Sequence, residues 1–262
     1  MSCHDFSHAI LRAPGRSVVD GLRAHDGAGP EYAQVAAEHA GYATALEQAG
    51  LAITTLEPLE AFPDSIFVED PALVFGEGAI LLDPGAPSRR GEGEHLVETL
   101  AAHFPRVLRL DGGHADGGDV LVTPAAVMIG LSARTDRAGA ESLTRALAEL
   151  GRDSRIVSPP KGALHLKTIA TLIDEETILT TREGEESGLF AGFRKIVTDP
   201  GEEAAANALR INDTLLLSAG HPRIAARLDA LGYRLALVDT THVARIDAGL
   251  SCMSLRWLAP AG

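Results

Sequence analysis

Asp64, Asp116, His165, Asn207 and Cys252 recur along the chain at intervals of 52, 49, 42 and 45 residues. Carboxylates, an imidazole and a thiol form the inventory of a thiol-dependent hydrolase: a nucleophile, a proton carrier and anions that hold a cationic substrate. Cys252 lies in Asp247-Ala-Gly-Leu-Ser-Cys-Met-Ser-Leu-Arg-Trp257, where Gly249 permits a tight approach before a strand. Such a thiol attacks only if a base or a positive charge favours the thiolate; otherwise it is a small buried hydrophobe. His165, in Lys161-Gly-Ala-Leu-His-Leu-Lys-Thr-Ile169, begins a strand after a glycine-containing turn. It suits proton transfer near neutral pH, the alternative being a loop histidine satisfied by a carbonyl. Asp116 sits in Asp111-Gly-Gly-His-Ala-Asp-Gly-Gly-Asp-Val-Leu121. Gly117-Gly118 leaves room for close approach of backbone or ligand, although an Asp/Gly turn is also common. Asp119 reads as a structural turn residue.

Two further groups of charges stand out. Phe62-Pro-Asp-Ser-Ile-Phe-Val-Glu-Asp-Pro71 packs Asp64, Glu69 and Asp70 close together. Crowded carboxylates repel unless a cation lies between them, and a solvated acidic loop is the plain alternative. Arg89-Arg90 and Arg134 are forks suited to a substrate carboxylate. Their alternative is surface charge, the reading preferred for Arg90. No phosphate-binding loop, Gly-x-Ser-x-Gly elbow or His-Glu-x-x-His zinc motif occurs. The short spacing of Cys3, His4 and His8 argues against a metal there.

These residues need elements that bring them together. Five stretches read as strand, turn, strand: Asp64 to Leu82, Asp116 to Ile129, His165 to Leu179, Ala208 to Leu217 and Leu250 to Trp257. A period of this length signals an array or propeller. Helical spacing predicts helices over 31–49, 92–103, 136–150, 184–194 and 221–231, with strands over 51–56, 155–157, 195–197 and 234–238. The unit is therefore a hairpin, a helix and a returning strand. The N-terminal strand His8–Arg12 lacks a hairpin, and the C-terminal hairpin lacks a returning strand. Pairing them would close a ring. The expectation is one α/β domain spanning 1–262.

Composition sets bounds. The 262 residues are 45% hydrophobic and 4% aromatic, so the core should be mostly aliphatic. A net charge of -13 argues against nucleic acid and is compatible with attracting a small cation. Two cysteines make no disulfide framework. No apolar run approaches a membrane span, and the start lacks the features of a signal peptide. A reducing cytoplasm is the expected compartment.

Six stretches in this order carry a resemblance that runs almost end to end. They are Pro63 to Asp70, Pro84-Gly-Ala-Pro-Ser-Arg-Arg90, Asp116-Gly-Gly-Asp-Val-Leu121, Gly130-Leu-Ser-Ala-Arg-Thr135, Leu164-His-Leu-Lys-Thr168 and Asp247 to Cys252. Together they resemble the dimethylarginine dimethylaminohydrolases of the guanidino-modifying (pentein) superfamily. The resemblance implies a five-bladed α/β propeller and hydrolysis of Nω-methylated arginine, with no cofactor or metal. It makes Cys252 the nucleophile and His165 the proton shuttle. Asp116, Asp70 and Glu69 become guanidinium-side residues. Asp64, Arg89 and Arg134 would hold the amino-acid end, joined by main-chain groups at Leu22 and Ile246, with Phe67 packing on the substrate. Asp116 departs from the pattern, since some members carry Glu there. Met253 departs too, since some relatives have a second cysteine. A homodimer is left open. The nearest rival is arginine deiminase, usually longer through an inserted helical domain. The rival from another class is a ribosome-binding pentein, which predicts loss of the reactive residues.

Overall fold

The computed structural model describes residues 3–24 and 27–259. Five three-stranded sheets follow one another, each an antiparallel pair extended by a third, parallel strand. The first blade joins Ala72–Phe75, Gly78–Leu81 and Val107–Arg109. The second joins Val120–Val122, Val127–Gly130 and Ser154–Val157. The third joins Ala170–Leu172, Thr177–Thr180 and Arg194–Val197. The fourth joins Leu209–Ile211, Thr214–Ser218 and Arg234–Val238. The fifth is made from both ends of the chain. His8–Arg12 pairs antiparallel with Leu255–Trp257 and parallel with Ala52–Leu56. The expected closure is therefore the one observed, and the architecture is a five-bladed α/β propeller.

A parallel third strand needs a crossover, and a helix supplies it in every blade. These helices are Val97–His103, Arg137–Glu149, Arg182–Glu186, Pro222–Ala230 and Tyr32–Gln48. Asp136 caps the second of them, its carboxylate accepting from the Gly139 N–H at 2.7 Å. Two helices differ from expectation. The predicted 92–103 helix is a 3-10 turn over Glu92–Leu96 followed by an α-helix, because Gly93 is a weak helix former and Glu92 turns inward to Arg89. The predicted 184–194 helix starts at Arg182, capped by Thr181, and ends at Glu186. Gly188 adopts φ +73°, which stops it.

The middle strand of each blade is apolar or uncharged at nearly every position because both faces are covered. Alternate residues point to opposite neighbours. Ile10 packs against the first blade with Ala79, Leu81 and Leu100, whereas Ala9 and Leu11 pack against the fourth with Leu216 and Val238. Val127 and Ile129 meet the first blade, and Met128 meets the third. Leu215 and Leu217 meet the third blade, and Leu216 meets the fifth. Five apolar seams thus join five blades into a ring. Each fully buried aliphatic contributes roughly 1.5–3 kcal/mol.

The reactive residues lie ahead of the strands, not in them. Asp64–Asp70 is a run of turns before Ala72. Gly117–Asp119 and Leu250–Met253 are 3-10 turns, and His165 caps the helical turn Leu166–Ile169. This corrects the expectation that His165 begins a strand. A strand alternates its side chains between faces, and both faces here are filled by neighbouring blades. The tight turns before the strands carry the ionisable groups of the site, whereas the buried polar residues within the strands are mostly threonines and serines at their ends.

Candidate active site

Close approach of these turns is made possible by two glycines. A Cβ on Gly117 would lie 1.9 Å from the Glu69 carbonyl oxygen, and one on Gly118 would lie 2.7 Å from the His165 ring. Any side chain there would push Asp116 away from His165 and Asp70. As built, Asp116 Oδ2 accepts from His165 Nε2 at 3.3 Å, and its Oδ1 accepts from the Gly85 N–H at 2.8 Å. Asp70 Oδ1 accepts from the Gly118 N–H at 3.2 Å, and its Oδ2 is paired with Arg89. The Cys252 carbonyl accepts from the Glu69 N–H at 3.1 Å, tying the thiol's turn to the acidic turn.

A cavity of ≈ 40 Å³ opens between these turns. Its wall contains Leu22, Asp64, Phe67, Asp70, Arg89, Arg134, His165, Ile246 and Cys252, together with Leu164, Asp247 and Ala248. Asp116 stands behind His165, 2% exposed. Leu164 and Ala248 were not anticipated from the sequence; apolar residues beside a reactive one carry no signal of their own.

Glu69 is placed differently from expectation. It does not line this cavity but a separate one of ≈ 180 Å³. There its carboxylate is held between Lys167 Nζ and Arg256 Nη2, each at 2.6 Å. The two cations oppose its charge, although that charge is still felt at the Cys252 sulfur. Through its N–H to the Cys252 carbonyl, Glu69 also braces the Cys252 turn. Lys167 and Arg256 were missed as well. Each is a lone cation among Leu, Ile and Trp, and a cation buried there requires a carboxylate partner.

The two arginines also part company. Arg89 is 3% exposed. Its Nε and Nη2 donate to Glu92 at 2.7 and 2.6 Å, Nη2 also donates to the carbonyls of Phe67 and Asp64, and Nη1 pairs with Asp70. It is first a clamp on Asp70 and on the 64–67 turn. Arg134 is half-buried, and its guanidinium has no hydrogen-bond partner among the described residues. Asp64 Oδ1 accepts from the Leu22 N–H at 2.9 Å. The Leu22 and Ile246 carbonyls accept no hydrogen bond among the described residues.

The electrostatics favour a cation. Asp64, Glu69, Asp70, Glu92, Asp116 and Asp119 are buried here against Arg89, Lys167 and Arg256. Burial, then Asp70 and Glu69, push the Cys252 thiol up to about 12, against the Gly249 contact and Lys167. Without substrate the sulfur is a neutral thiol at pH 7. Burial pulls the His165 imidazole down, but the Asp116 hydrogen bond and the charges of Asp70 and Asp119 outweigh it and leave it raised. Burial alone would lift Asp70; Arg89, His165 and Lys167 hold it below its usual range. Burial raises Asp64. Asp70, Asp116 and His165 offer atoms within 4.8 Å of one another, a spacing open to any compact cation.

Known proteins resemble this arrangement. The arginine deiminase family model matches residues 54–213. An N(G),N(G)-dimethylarginine dimethylaminohydrolase of Pseudomonas aeruginosa is 39% identical over 254 residues, 96% of this chain and 100% of the relative. That of Streptomyces coelicolor is 31% identical over 252 residues, 95% of this chain and 96% of the relative. The solved structure of the Pseudomonas aeruginosa enzyme, a cysteine-to-serine mutant complexed with citrulline, superposes with a TM-score of 0.92 at 38% identity. It covers 96% of this chain and 99% of that one.

Proposed function

This chain belongs to the dimethylarginine dimethylaminohydrolase family, and we propose that it converts Nω-methylated arginine into citrulline and a methylamine. The substrates of this reading are asymmetric dimethylarginine and monomethylarginine. The observation that carries it is the joint placement of Cys252, His165 and Asp70 on one cavity wall, with Asp116 behind the imidazole.

A guanidinium resists attack because its charge is delocalised. Asp70, on the cavity wall, aligns it, and the charge of Asp116 behind His165 adds to the field that favours its charged form. Its positive charge beside the sulfur offsets the carboxylates that hold the thiol neutral, so the thiol releases its proton to solvent once substrate is bound, while His165 keeps its own. The sulfur attacks the central carbon and forms a C–S bond. The C–N bond to the methylated nitrogen breaks, and imidazolium His165 gives that nitrogen its proton. A thiouronium remains. Neutral His165 then takes a proton from water, oxygen bonds to carbon, the C–S bond breaks and citrulline leaves.

Arg134 suits the substrate carboxylate because no group among the described residues hydrogen-bonds its guanidinium. Asp64 and the free carbonyls of Leu22 and Ile246 suit the α-ammonium. Arg89 lines the same wall and contributes there through Asp70 and one remaining Nη1 proton. Phe67 packs against the substrate. Residues 1–262 act as one catalytic domain in this reading, with no metal or cofactor. The described helices include none long and apolar enough to cross a membrane. A cytoplasmic location agrees with the two unpaired thiols, and a homodimer is compatible with the fold.

The test is citrulline formation from asymmetric dimethylarginine and from arginine, with wild type and Cys252→Ser side by side. Turnover of the methylated substrate, lost by about 10⁴-fold or more in the variant, is expected for removal of a nucleophile. A second reading, arginine deimination, is favoured by the family model spanning residues 54–213. Clear preference for arginine would select it.

A further inference from the structure

Asp119 is fully buried, yet it touches no wall of the cavity. Its Oδ2 accepts from Ser132 Oγ at 2.6 Å and from Thr135 Oγ1 at 2.7 Å, and its Oδ1 accepts from the Leu166 N–H at 3.0 Å. Ser132 Oγ also accepts from the Arg134 N–H at 2.9 Å, and Thr135 Oγ1 accepts from the Asp116 N–H at 3.1 Å. The proton directions follow from this. Each hydroxyl has one proton, and each already faces a donating N–H, so both hydroxyl protons go to Asp119 Oδ2. A third donor, Leu166 N–H, faces Oδ1. Three donors converge on the carboxylate, a set that the acceptor-only ionised form satisfies best; they and the His165 charge work against burial, which raises its pKa. It fixes three parts of the site at once: the residue after His165, the backbone of Arg134 and the backbone of Asp116.

We infer that Asp119 is the positioning residue of this active site, holding His165, Asp116 and Arg134 in mutual register through its ionised carboxylate. Its charge is also felt at the imidazole. The groups around that ring are Asp116, Asp70 and Asp119, with Cys252, Arg89 and Arg134 on the same cavity wall. The catalytic consequence rests on the proposed hydrolysis; the geometry does not. A serine or threonine hydroxyl alone would cap a turn, but it cannot accept three hydrogen bonds while adding negative charge near His165.

Asp119→Asn tests this, because it keeps the shape and removes the charge. Turned toward Leu166 N–H, the asparagine NH₂ opposes donor to donor; turned toward the two hydroxyls, it forces both hydroxyl protons away from residue 119; neither orientation restores the charge. The expected result is a fall in kcat/KM of about 10²-fold, the scale of a misplacement near 1 Å. The alkaline limb of the kcat profile, set by His165, should move to lower pH. Thr135→Ser should keep near wild-type activity, and Thr135→Val should lose it, because the hydroxyl carries the link from the Asp119 carboxylate to the Asp116 N–H, whereas the Asp119 N–H to Asp116 carbonyl bond is the same in both variants. Titration of the His165 ring by NMR in wild type and Asp119→Asn needs no substrate. A downward shift there supports the inference even if methylarginine is not turned over. An unshifted imidazole with only a lower melting temperature would mean a structural role and overturn it. Equal activity of Thr135→Ser and Thr135→Val would overturn it as well.

Discussion

The two ends of the candidate cavity are built in opposite ways. At the end proposed for the guanidinium the carboxylates already have protein partners: Asp116 holds His165 and Gly85, and Asp70 holds Arg89 and Gly118. At the amino-acid end the Arg134 guanidinium and the Leu22 and Ile246 carbonyls have none among the described residues. The first arrangement is fixed before substrate arrives, which is what positioning and electrostatic stabilisation demand. The second leaves its groups open to a ligand, which in the proposed function is the amino-acid end of the substrate. Chemistry and binding should therefore separate when the two ends are altered in turn.

The largest effect belongs to the preorganised end. His165→Gly removes the proton carrier but leaves Asp70, Asp116 and Arg134 in place. Citrulline formation should fall by about 10²–10⁴-fold in kcat, with KM little changed. A KM rise matching the kcat loss would show that His165 also binds, and would blur the division. At the other end, Arg134→Ala should raise KM for asymmetric dimethylarginine by about 10–100-fold, the equivalent of losing a charge-assisted hydrogen bond worth roughly 1.5–3 kcal/mol. Its kcat should hold. Steady-state kinetics at saturating substrate separates the two, and a kcat loss in Arg134→Ala would break the comparison.

How much of this was legible beforehand depends on distance along the chain. The ring could be read because each blade repeats a local pattern, and because His8–Arg12 and Leu250–Trp257 were visibly incomplete halves of one unit. That Cys252, His165, Asp116 and Asp70 come together was expected from the joint resemblance of six stretches, since the turn chemistry of each stretch alone left a plain alternative open. The partners were not legible. Glu69 meets Arg256 187 positions away in sequence, and no local pattern tells which side of the turn its carboxylate will take. The conformation of the leading turns was also hidden. Three or four residues in a 3-10 turn have no periodicity to detect, and their geometry is imposed by Gly117 against Glu69 and Gly118 against His165. Asp119 read as a turn residue, and its partners Ser132, Thr135 and Leu166, in two other loops, could not be seen from its own stretch.

The finest comparison is between adjacent residues of one type. Arg89 and Arg90 look alike in sequence, yet one is 3% exposed in a cage of Glu92, Asp70 and two carbonyls, and the other is exposed. Removing Arg89 as Arg89→Met leaves Glu92 and Asp70 buried without their cation. That should cost about 3–5 kcal/mol of stability, and activity should fall with it because Asp70 loses its clamp. Arg90→Met removes only a solvated charge, so stability should change by no more than about 0.5 kcal/mol. Urea denaturation of both variants reads the difference directly. The reason the effects diverge is geometric: the Ala86–Arg89 turn carries Arg89 inward, and the next residue, in extended conformation, is carried out to solvent. A comparable loss in Arg90→Met would mean that this residue also braces the acidic cluster, and the division between buried clamp and surface charge would have to be redrawn one position further along the chain.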